Sequence, residues 1–307
     1  MGEKMLNSIH ISDISKFLNN DFTNNDYIVD KICSISNLRN NSIAFVNKKN
    51  YKFDQSVEAL VIAIEGYEIE KDSKCNFIFS KNPRLDFVKV INKFFINSRE
   101  SKISETVKIG ANCTISDDVA IGEYTVIKDN VTIGSGTIIN NHVVIESNTI
   151  IGENCYIKSG AIIGEDGFGF ERDENGVPLR FSHIGNVIIG NNVEIGSQTT
   201  IARGTLESTV IKDNVKIDDQ VHIAHNCCIG MNTLITACSE ISGSVTIGKN
   251  TWIGPNTSIK DGLIIGENVF LGIGTLITKN VKNNEIISSL SNLSLKNIVK
   301  INKIIKE

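Results

Sequence analysis

The sequence predicts a mainly β protein whose central part is a β-solenoid, and three features of the chain carry this prediction. Isoleucine recurs at every sixth position over most of residues 101–281, a period that cannot keep to one face of an α-helix. A small or β-branched residue usually stands two positions earlier, so both side chains point to the same side of a strand. Glycine, asparagine and aspartate fill the intervening positions, as tight turns require.

The isoleucine repeat is interrupted twice. It runs over Ile103–Ile163, resumes over Ile189–Ile277 with Leu271 as a substitute, and is broken by residues 164–185 and by a four-residue slip in "ARGTLESTV". The first interruption is rich in glycine, which marks a long loop. Loops that leave a rigid solenoid are where functional sites are usually built, so we expect the site at these interruptions.

The flanking segments predict a cap at each end of the solenoid. Residues 1–100 contain a helix signal after Ser12, three apolar strand segments ("SIAFVN", "ALVIAIE" and "NFIFS") and an amphipathic segment opened by Pro83. This pattern predicts a small α/β domain over 1–100. After the solenoid at 101–281, apolar residues at helical spacing predict a short C-terminal helical segment over 282–307.

Composition excludes several classes of partner. The 307 residues carry a formal charge of −4 without a long Lys/Arg block, which argues against nucleic acid and anionic membranes. No apolar run is long enough to span a bilayer and no secretory signal begins the chain, so we expect a cytoplasmic protein. The seven cysteines have no C-x-x-C spacing, which predicts reduced thiols, with Cys113, Cys155 and Cys227 in the solenoid core.

The repeat resembles that of the hexapeptide acyltransferases. This resemblance implies a left-handed parallel β-helix with three hexads in each triangular coil, so that residues 18 apart stack. His225 follows the inward Ile223 by two positions, which places it at a corner of the prism with its side chain outward. Gly243 then lies one coil further along the same edge. An imidazole beside an unencumbered N–H suits acyl transfer, although solenoid corners tolerate any polar residue.

The stretches "GEDGFGF", "VEIGSQTTIARGTLESTVI" and "VKIDDQVHIAHNCCIG" are more specific. Their order and spacing resemble the UDP-3-O-(3-hydroxyacyl)glucosamine N-acyltransferases of lipid A synthesis and their sugar-tailoring relatives. The resemblance implies that His225 of "IAHN" is the catalytic base and that the N–H of Gly243 binds the oxyanion. It also implies substrate-binding roles for Asp218 and Asn226.

The same resemblance extends to the N-terminal domain. The segment "IAFVNKKNY" is similar to the family segment whose two aromatic residues sandwich the nucleotide base, here Phe45 and Tyr51, with Asn47 as a displaced binding asparagine. In the long loop, the aromatic pair Phe168 and Phe170 either walls a groove for an acyl or pantetheine chain or lies on the loop surface.

Two departures from the family pattern bear on the substrate. Ala202 replaces an acidic residue, and Gly262 stands where the family has a second histidine. We therefore expect an N-acyltransferase that moves an acyl group from a thioester, with acyl-CoA favoured, to the amine of a nucleotide-linked amino sugar in surface-glycan synthesis. The alternative is the lipid A enzyme, which uses an acyl carrier protein. The resemblance further implies a homotrimer with sites between prisms, no tightly bound cofactor and no metal.

Two other classes of protein share this repeat. A zinc hydratase of the carbonic anhydrase type needs three converging histidines, of which His222 and His225 supply two. A non-catalytic binding solenoid needs no particular residue at position 225. His183, which closes the long loop, would line a pocket or lie on the loop surface.

Overall fold

The computed structural model describes residues 8–96 and 101–288. Contacts divide the chain into two compact units, Met1–Arg99 and Glu100–Glu307. Each unit has its own hydrophobic core. No helix within the described ranges has both the length and the apolar character that crossing a bilayer would require.

The N-terminal unit is the small α/β domain that the strand and helix signals predict. Its strands are Ile9–His10, Ile28–Val29, Lys31–Ile32, Ser42–Val46, Ala59–Ile64 and Asn76–Ser80, and its helical segments are Ile11–Leu18, Ile35–Asn37 (3-10), Pro83–Val90 and Ile91–Phe95 (π). The last four strands form a parallel sheet in chain order, and the first two pair antiparallel.

The apolar run "ALVIAI" becomes a central strand because both of its faces are covered. Leu60 and Ile62 pack towards the helix Pro83–Val90 in one apolar cluster, whereas Val61 belongs to a second cluster on the other face. The helix begins where the sequence indicates, since the side chain of Asn82 accepts a hydrogen bond from the Leu85 N–H and proline occupies the first turn.

The second unit is a left-handed parallel β-helix with three faces. The first face consists of Lys108–Ile109, Val126–Ile127, Val144–Ile145, Ile162–Ile163, Thr200–Ile201, His222–Ile223, Glu240–Ile241, Ser258–Ile259 and Leu276–Ile277. The second face consists of Thr114–Ile115, Thr132–Ile133, Ile150–Ile151, Val187–Ile189, Thr209–Ile211, Cys228–Ile229, Thr246–Ile247 and Ile264–Ile265. The third face consists of Ala120–Ile121, Ile138–Ile139, Tyr156–Ile157, Glu194–Ile195, Lys216–Ile217, Leu234–Ile235, Trp252–Ile253, Phe270–Leu271 and Ile286–Ile287.

Stacked rungs confirm the predicted inward positions. The repeated isoleucines from Ile121 to Ile277 are buried, together with the small residues that precede them, whereas Ile103 and Ile109 at the beginning of the repeat are about half exposed. Corner residues, most of them asparagine, have positive φ values, a conformation that asparagine tolerates better than most residues. The hexad therefore combines two core side chains with one residue suited to a left-handed corner.

The cysteines behave as compact apolar residues. Cys155 and Cys227 lie in the solenoid core, Cys113 packs partly against it, and all seven thiols are free. Burial raises the pKa of the Cys227 thiol to about 12, so this thiol stays protonated near neutral pH.

The predicted C-terminal helical segment is wrong over 282–288. Ile286–Ile287 forms a strand that pairs with Phe270–Leu271 and extends the third face. The turn before it is held by Asn283, whose side chain accepts a hydrogen bond from the Glu267 N–H. This last coil is 16 residues long rather than 18, which hides it from a six-residue period. The remainder of the predicted segment, 289–307, lies outside the described residues.

Candidate active site

Both interruptions of the repeat leave the prism at one edge. Residues 164–185 connect Ile162–Ile163 of the first face to Val187–Ile189 of the second, and residues 202–208 connect the next coil across the same edge. The turn that carries His225 joins the same two faces one coil further on. The loops and the histidine are therefore concentrated along the edge between the first and second faces.

His225 lies directly against Gly243. A Cβ placed on Gly243 would be 2.6 Å from Cε1 and 2.8 Å from Nε2 of the imidazole, so only glycine leaves the ring room there. The N–H of Gly243 has no hydrogen-bond acceptor within the described part of the chain. The structure thus brings together the two residues that the sequence pairs, with a free N–H beside the ring.

A second imidazole, that of His183, completes this cluster. The ring centroids of His183 and His225 are 5.3 Å apart with the rings edge to face, and His183 is only 5% exposed. Its Nδ1 lies 3.0 Å from the carbonyl oxygen of Phe181, while its Nε2 is buried with no partner among the residues described. The sequence does not distinguish a buried from an exposed His183, because a loop has no period from which burial can be inferred.

Among residues 8–96 and 101–288, no carboxylate hydrogen-bonds to the imidazole of His225. Its Nδ1 is buried and has no hydrogen-bond partner within the described ranges, which leaves Nε2 as the nitrogen open to solvent. Asp218 instead accepts from the Ala237 N–H, and Asp219 accepts from the Ser197 N–H and contacts Lys158. The carboxylates nearest in sequence are thus engaged elsewhere in this chain.

The two loops are tied to each other and to the prism. The N–H of Ile184 donates to the Thr205 carbonyl at 2.8 Å, and the N–H of Thr205 donates to the side chain of Asn226 at 2.7 Å. Arg203 is mostly buried, and its Nε donates to the Gly164 carbonyl at 2.5 Å. Asn226 therefore anchors the second loop, and its predicted contact with substrate stays a prediction.

The aromatic pair of the long loop stays together. The rings of Phe168 and Phe170 are 4.9 Å apart, with Phe168 87% exposed, and the guanidinium of Arg180 lies 4.9 Å from the centre of the Phe170 ring. Both belong to the loop that supplies His183, and Phe170 begins an antiparallel ribbon formed by Phe170–Arg172 and Pro178–Arg180. Whether the pair walls an acyl groove stays a prediction.

Asp218 lies at a different edge of the same prism. It follows Lys216–Ile217 of the third face, so the width of the first face separates it from His225. Lys158, Lys216 and Trp252 line a shallow depression on the third face together with it. One chain does not bring Asp218 and His225 together.

The N-terminal candidates surround the carboxyl end of one strand. Phe45 is the second-last residue of the strand Ser42–Val46, and Asn47 directly follows that strand. Tyr51 closes the next turn. Ligands of parallel sheets bind at this end of the strands, which supports the predicted base-binding role. Phe45 packs 4.9 Å from Phe87, and its ring makes no contact with that of Tyr51.

No three histidine, cysteine, aspartate or glutamate side chains converge into a metal-binding group in residues 8–96 and 101–288. His222 points outward on the first face between Thr200 and Glu240.

Comparison with known proteins places this geometry in a family. The model of the bacterial transferase hexapeptide (six repeats) matches residues 100–135, 130–165, 208–243 and 244–279. The UDP-3-O-acylglucosamine N-acyltransferase of Campylobacter lari is 44% identical over 247 residues, which cover 76% of this chain and 77% of the relative. That of Dechloromonas aromatica is 52% identical over 79 residues, 26% of this chain and 22% of the relative.

Solved structures give the same architecture. LpxA from Acinetobacter baumannii matches with a TM-score of 0.56 at 27% identity, over 66% of this chain and 83% of that one. The UDP-N-acetylglucosamine acyltransferase of Francisella novicida matches with a TM-score of 0.56 at 25% identity, over 67% of this chain and 79% of that one. The hexapeptide repeat, the prism and the match to the Campylobacter lari relative over most of both chains agree. The chain is therefore an acyltransferase and belongs to the hexapeptide-repeat family of the UDP-3-O-acylglucosamine N-acyltransferases.

Proposed function

We propose that this enzyme transfers an acyl group from a thioester to the amine of a UDP-linked glucosamine, with UDP-3-O-acylglucosamine as the acceptor and an acyl carrier protein as the donor. The observation that carries the proposal is the contact between the His225 imidazole and Gly243, whose N–H is free. The acceptor follows from the relative that is 44% identical, and the carrier protein follows from the resemblance to the lipid A enzymes.

In the proposed mechanism, Nε2 of His225 is the general base because Nδ1 is buried. The amine lone pair forms the C–N bond to the thioester carbonyl carbon, and His225 takes a proton from the nitrogen. The carbonyl π electrons move to oxygen, where the Gly243 N–H stabilises the negative charge. Collapse breaks the C–S bond, and the imidazolium returns its proton to the departing thiolate.

Two further features are part of the proposal. The first is a homotrimer, supported by the position of Asp218: in one prism this carboxylate is a full face away from His225, so the proposed role of Asp218 requires a neighbouring copy. The second is binding of the nucleotide base by Phe45, Asn47 and Tyr51 at the carboxyl end of their strand. We place the reaction in the cytoplasm, where both kinds of thioester donor are made.

Ala202 and Gly262 favour a second candidate, an acyl-CoA-dependent enzyme that acylates another nucleotide-linked amino sugar in surface-glycan synthesis. Ala202 is buried at the root of the second loop, where the lipid A enzymes carry an acidic residue. Gly262 lies one coil beyond Gly243, to whose carbonyl it donates a hydrogen bond at 2.9 Å, and nothing occupies the space a side chain would fill. The two candidates share the reaction and differ in the acceptor sugar and the donor.

The test is a panel of UDP-linked amino sugars, including UDP-3-O-acylglucosamine, assayed with acyl carrier protein and acyl-CoA donors. We expect amide formation with UDP-3-O-acylglucosamine and the carrier protein. We also expect the His225→Ala variant to be slower by about 10²–10⁴-fold, the usual contribution of a general base. Amide formation only with acyl-CoA and another sugar would favour the second candidate, and no acylated amine from any pair would refute both.

A further inference from the structure

We propose that His183 is an amine-binding residue of this reaction: its Nε2 accepts a hydrogen bond from the attacking amine while His225 removes a proton from the same nitrogen. The proposal rests on the proposed function for the nature of the acceptor. It adds a residue for which the repeat pattern provides no signal, since His183 belongs to the loop and not to the prism.

The first argument is the hydrogen-bonding state of His183. Its Nδ1 lies 3.0 Å from the Phe181 carbonyl oxygen, which can only accept, so Nδ1 carries the proton. In the neutral ring, Nε2 is then a bare acceptor. That acceptor is buried in a residue only 5% exposed, and no donor reaches it from the part of the chain that the structure describes. Leaving such a group unsatisfied costs stability, which a substrate N–H would restore.

The second argument is the short distance between the two imidazoles. A Cβ on Gly167 would lie 3.0 Å from Nε2 of His183 and 3.0 Å from Cδ2 of His225. Because both distances start from one point, Nε2 of His183 is at most 6.0 Å from Cδ2 of His225 (3.0 Å plus 3.0 Å). One nitrogen can therefore hydrogen-bond to both imidazoles.

The third argument is the arrangement around His225. Gly243 approaches the ring at Cε1, whereas Gly167 and His183 lie on its Cδ2 side, so the reactive Nε2 stands between them. An amine bound at Nε2 therefore has an oxyanion-stabilising N–H on one side and an acceptor on the other. A neutral primary amine has two N–H donors and one lone pair. With one N–H directed to His225 and the other to His183, rotation about the C–N bond is restricted, and the lone pair is held towards the thioester carbonyl carbon. His225 then removes its proton from the nitrogen as the C–N bond forms.

The experiment compares the steady-state kinetics of the His183→Phe and His183→Gln variants with those of the wild-type enzyme. Phenylalanine keeps an aromatic ring but has no acceptor, whereas the glutamine amide can both donate to Phe181 and accept from the amine. We expect His183→Phe to lower kcat/KM for the amino sugar by about ten- to a hundredfold, the range for losing one hydrogen bond to a charged group. The KM for the thioester should stay unchanged, and His183→Gln should recover part of the loss.

A further variant is the control for the loss of an imidazole as such. His142→Asn removes an imidazole at another corner, where asparagine suits the φ of 57°, and should leave activity unchanged. Unchanged acceptor kinetics in His183→Phe, or a defect confined to the thioester, would overturn the proposal. If the wild-type enzyme itself did not acylate the amino sugar, the proposed function would be refuted instead.

Discussion

Single residues decide whether this edge of the prism can do chemistry. The imidazole of His225 packs on the bare α-carbon of Gly243, and a side chain there would come within 2.6 Å of the ring. Glycine is needed for this approach rather than for its backbone freedom, since Gly243 is not among the residues with positive φ. The same reasoning applies to Gly167, where a Cβ would lie 3.0 Å from atoms of both His183 and His225.

Replacing Gly243 with alanine should therefore displace the catalytic ring without unfolding the coil. We expect kcat to fall by roughly 10²-fold, because misplacing a catalytic group by about 1 Å has an effect of that size. The measurement is steady-state N-acylation. Gly274→Asn is the matched control, because nothing lies within 4 Å of its Cβ position and its φ of 65° is one that asparagine adopts elsewhere in this prism. Full activity of Gly243→Ala would contradict the proposed geometry.

At the scale of elements, the hexad corner and the loops depend on each other. Asn226 occupies a left-handed corner with a φ of 61°, as asparagine does at many other corners. Elsewhere such side chains bond along the edge, as from Asn232 to Asn250. At 226 the amide turns to Thr205 because the second loop replaces the regular corner of the preceding coil.

Removing this anchor should loosen the loop. Asn226→Gly retains the corner conformation but loses the bonds to Thr205, so we expect the free energy of unfolding to fall by about 1 kcal/mol, the usual net value of such a bond. Urea titration measures it. Asn226→Asp keeps the acceptor for the Thr205 N–H and should lose less. Asn256→Gly, at an exposed corner, is the control, and an equal loss there would show that the anchor has no special role.

At the scale of the whole molecule, the prism is a stack in which each coil contacts only its neighbours. Within the prism, an internal coil has a neighbouring coil on both sides, and the first coil has one on a single side. Ile145 is fully buried, whereas Ile109 of the first coil is 44% exposed. The same residue type in the same position of the hexad therefore contributes differently according to its place in the stack.

Truncation of these two isoleucines tests this dependence. Ile145→Ala should lower the free energy of unfolding by about 2–5 kcal/mol, as for other buried isoleucines, because it leaves a cavity inside a closed coil. Ile109→Ala should cost less than half as much. The measurement is urea titration of the full chain, following unfolding of the second unit. Equal losses of unfolding free energy in the two variants would contradict a stack in which each coil is stabilised by its neighbours.

The six-residue period was sufficient to predict the solenoid and its inward residues, and the resemblance to the hexapeptide acyltransferases added the triangular coil that places His225 at an edge. It failed at Ile286–Ile287, since the last coil has 16 residues and its apolar residues also fit a helical spacing. The cluster around His225 was only partly predictable. Gly243 is one coil of 18 residues away, so the stacking that the family resemblance implies finds it, whereas His183 and Gly167 reach the ring through a folded loop.

By itself, the sequence determined the period, the inward isoleucines and the corner that exposes His225, because these depend on local geometry repeated from hexad to hexad. The tertiary structure alone decided that both loops meet at that corner, that His183 is buried beside His225 and that Asn226 serves the second loop. Those contacts join residues about 20 to 60 positions apart through irregular backbone, where packing rather than periodicity determines which side chains meet.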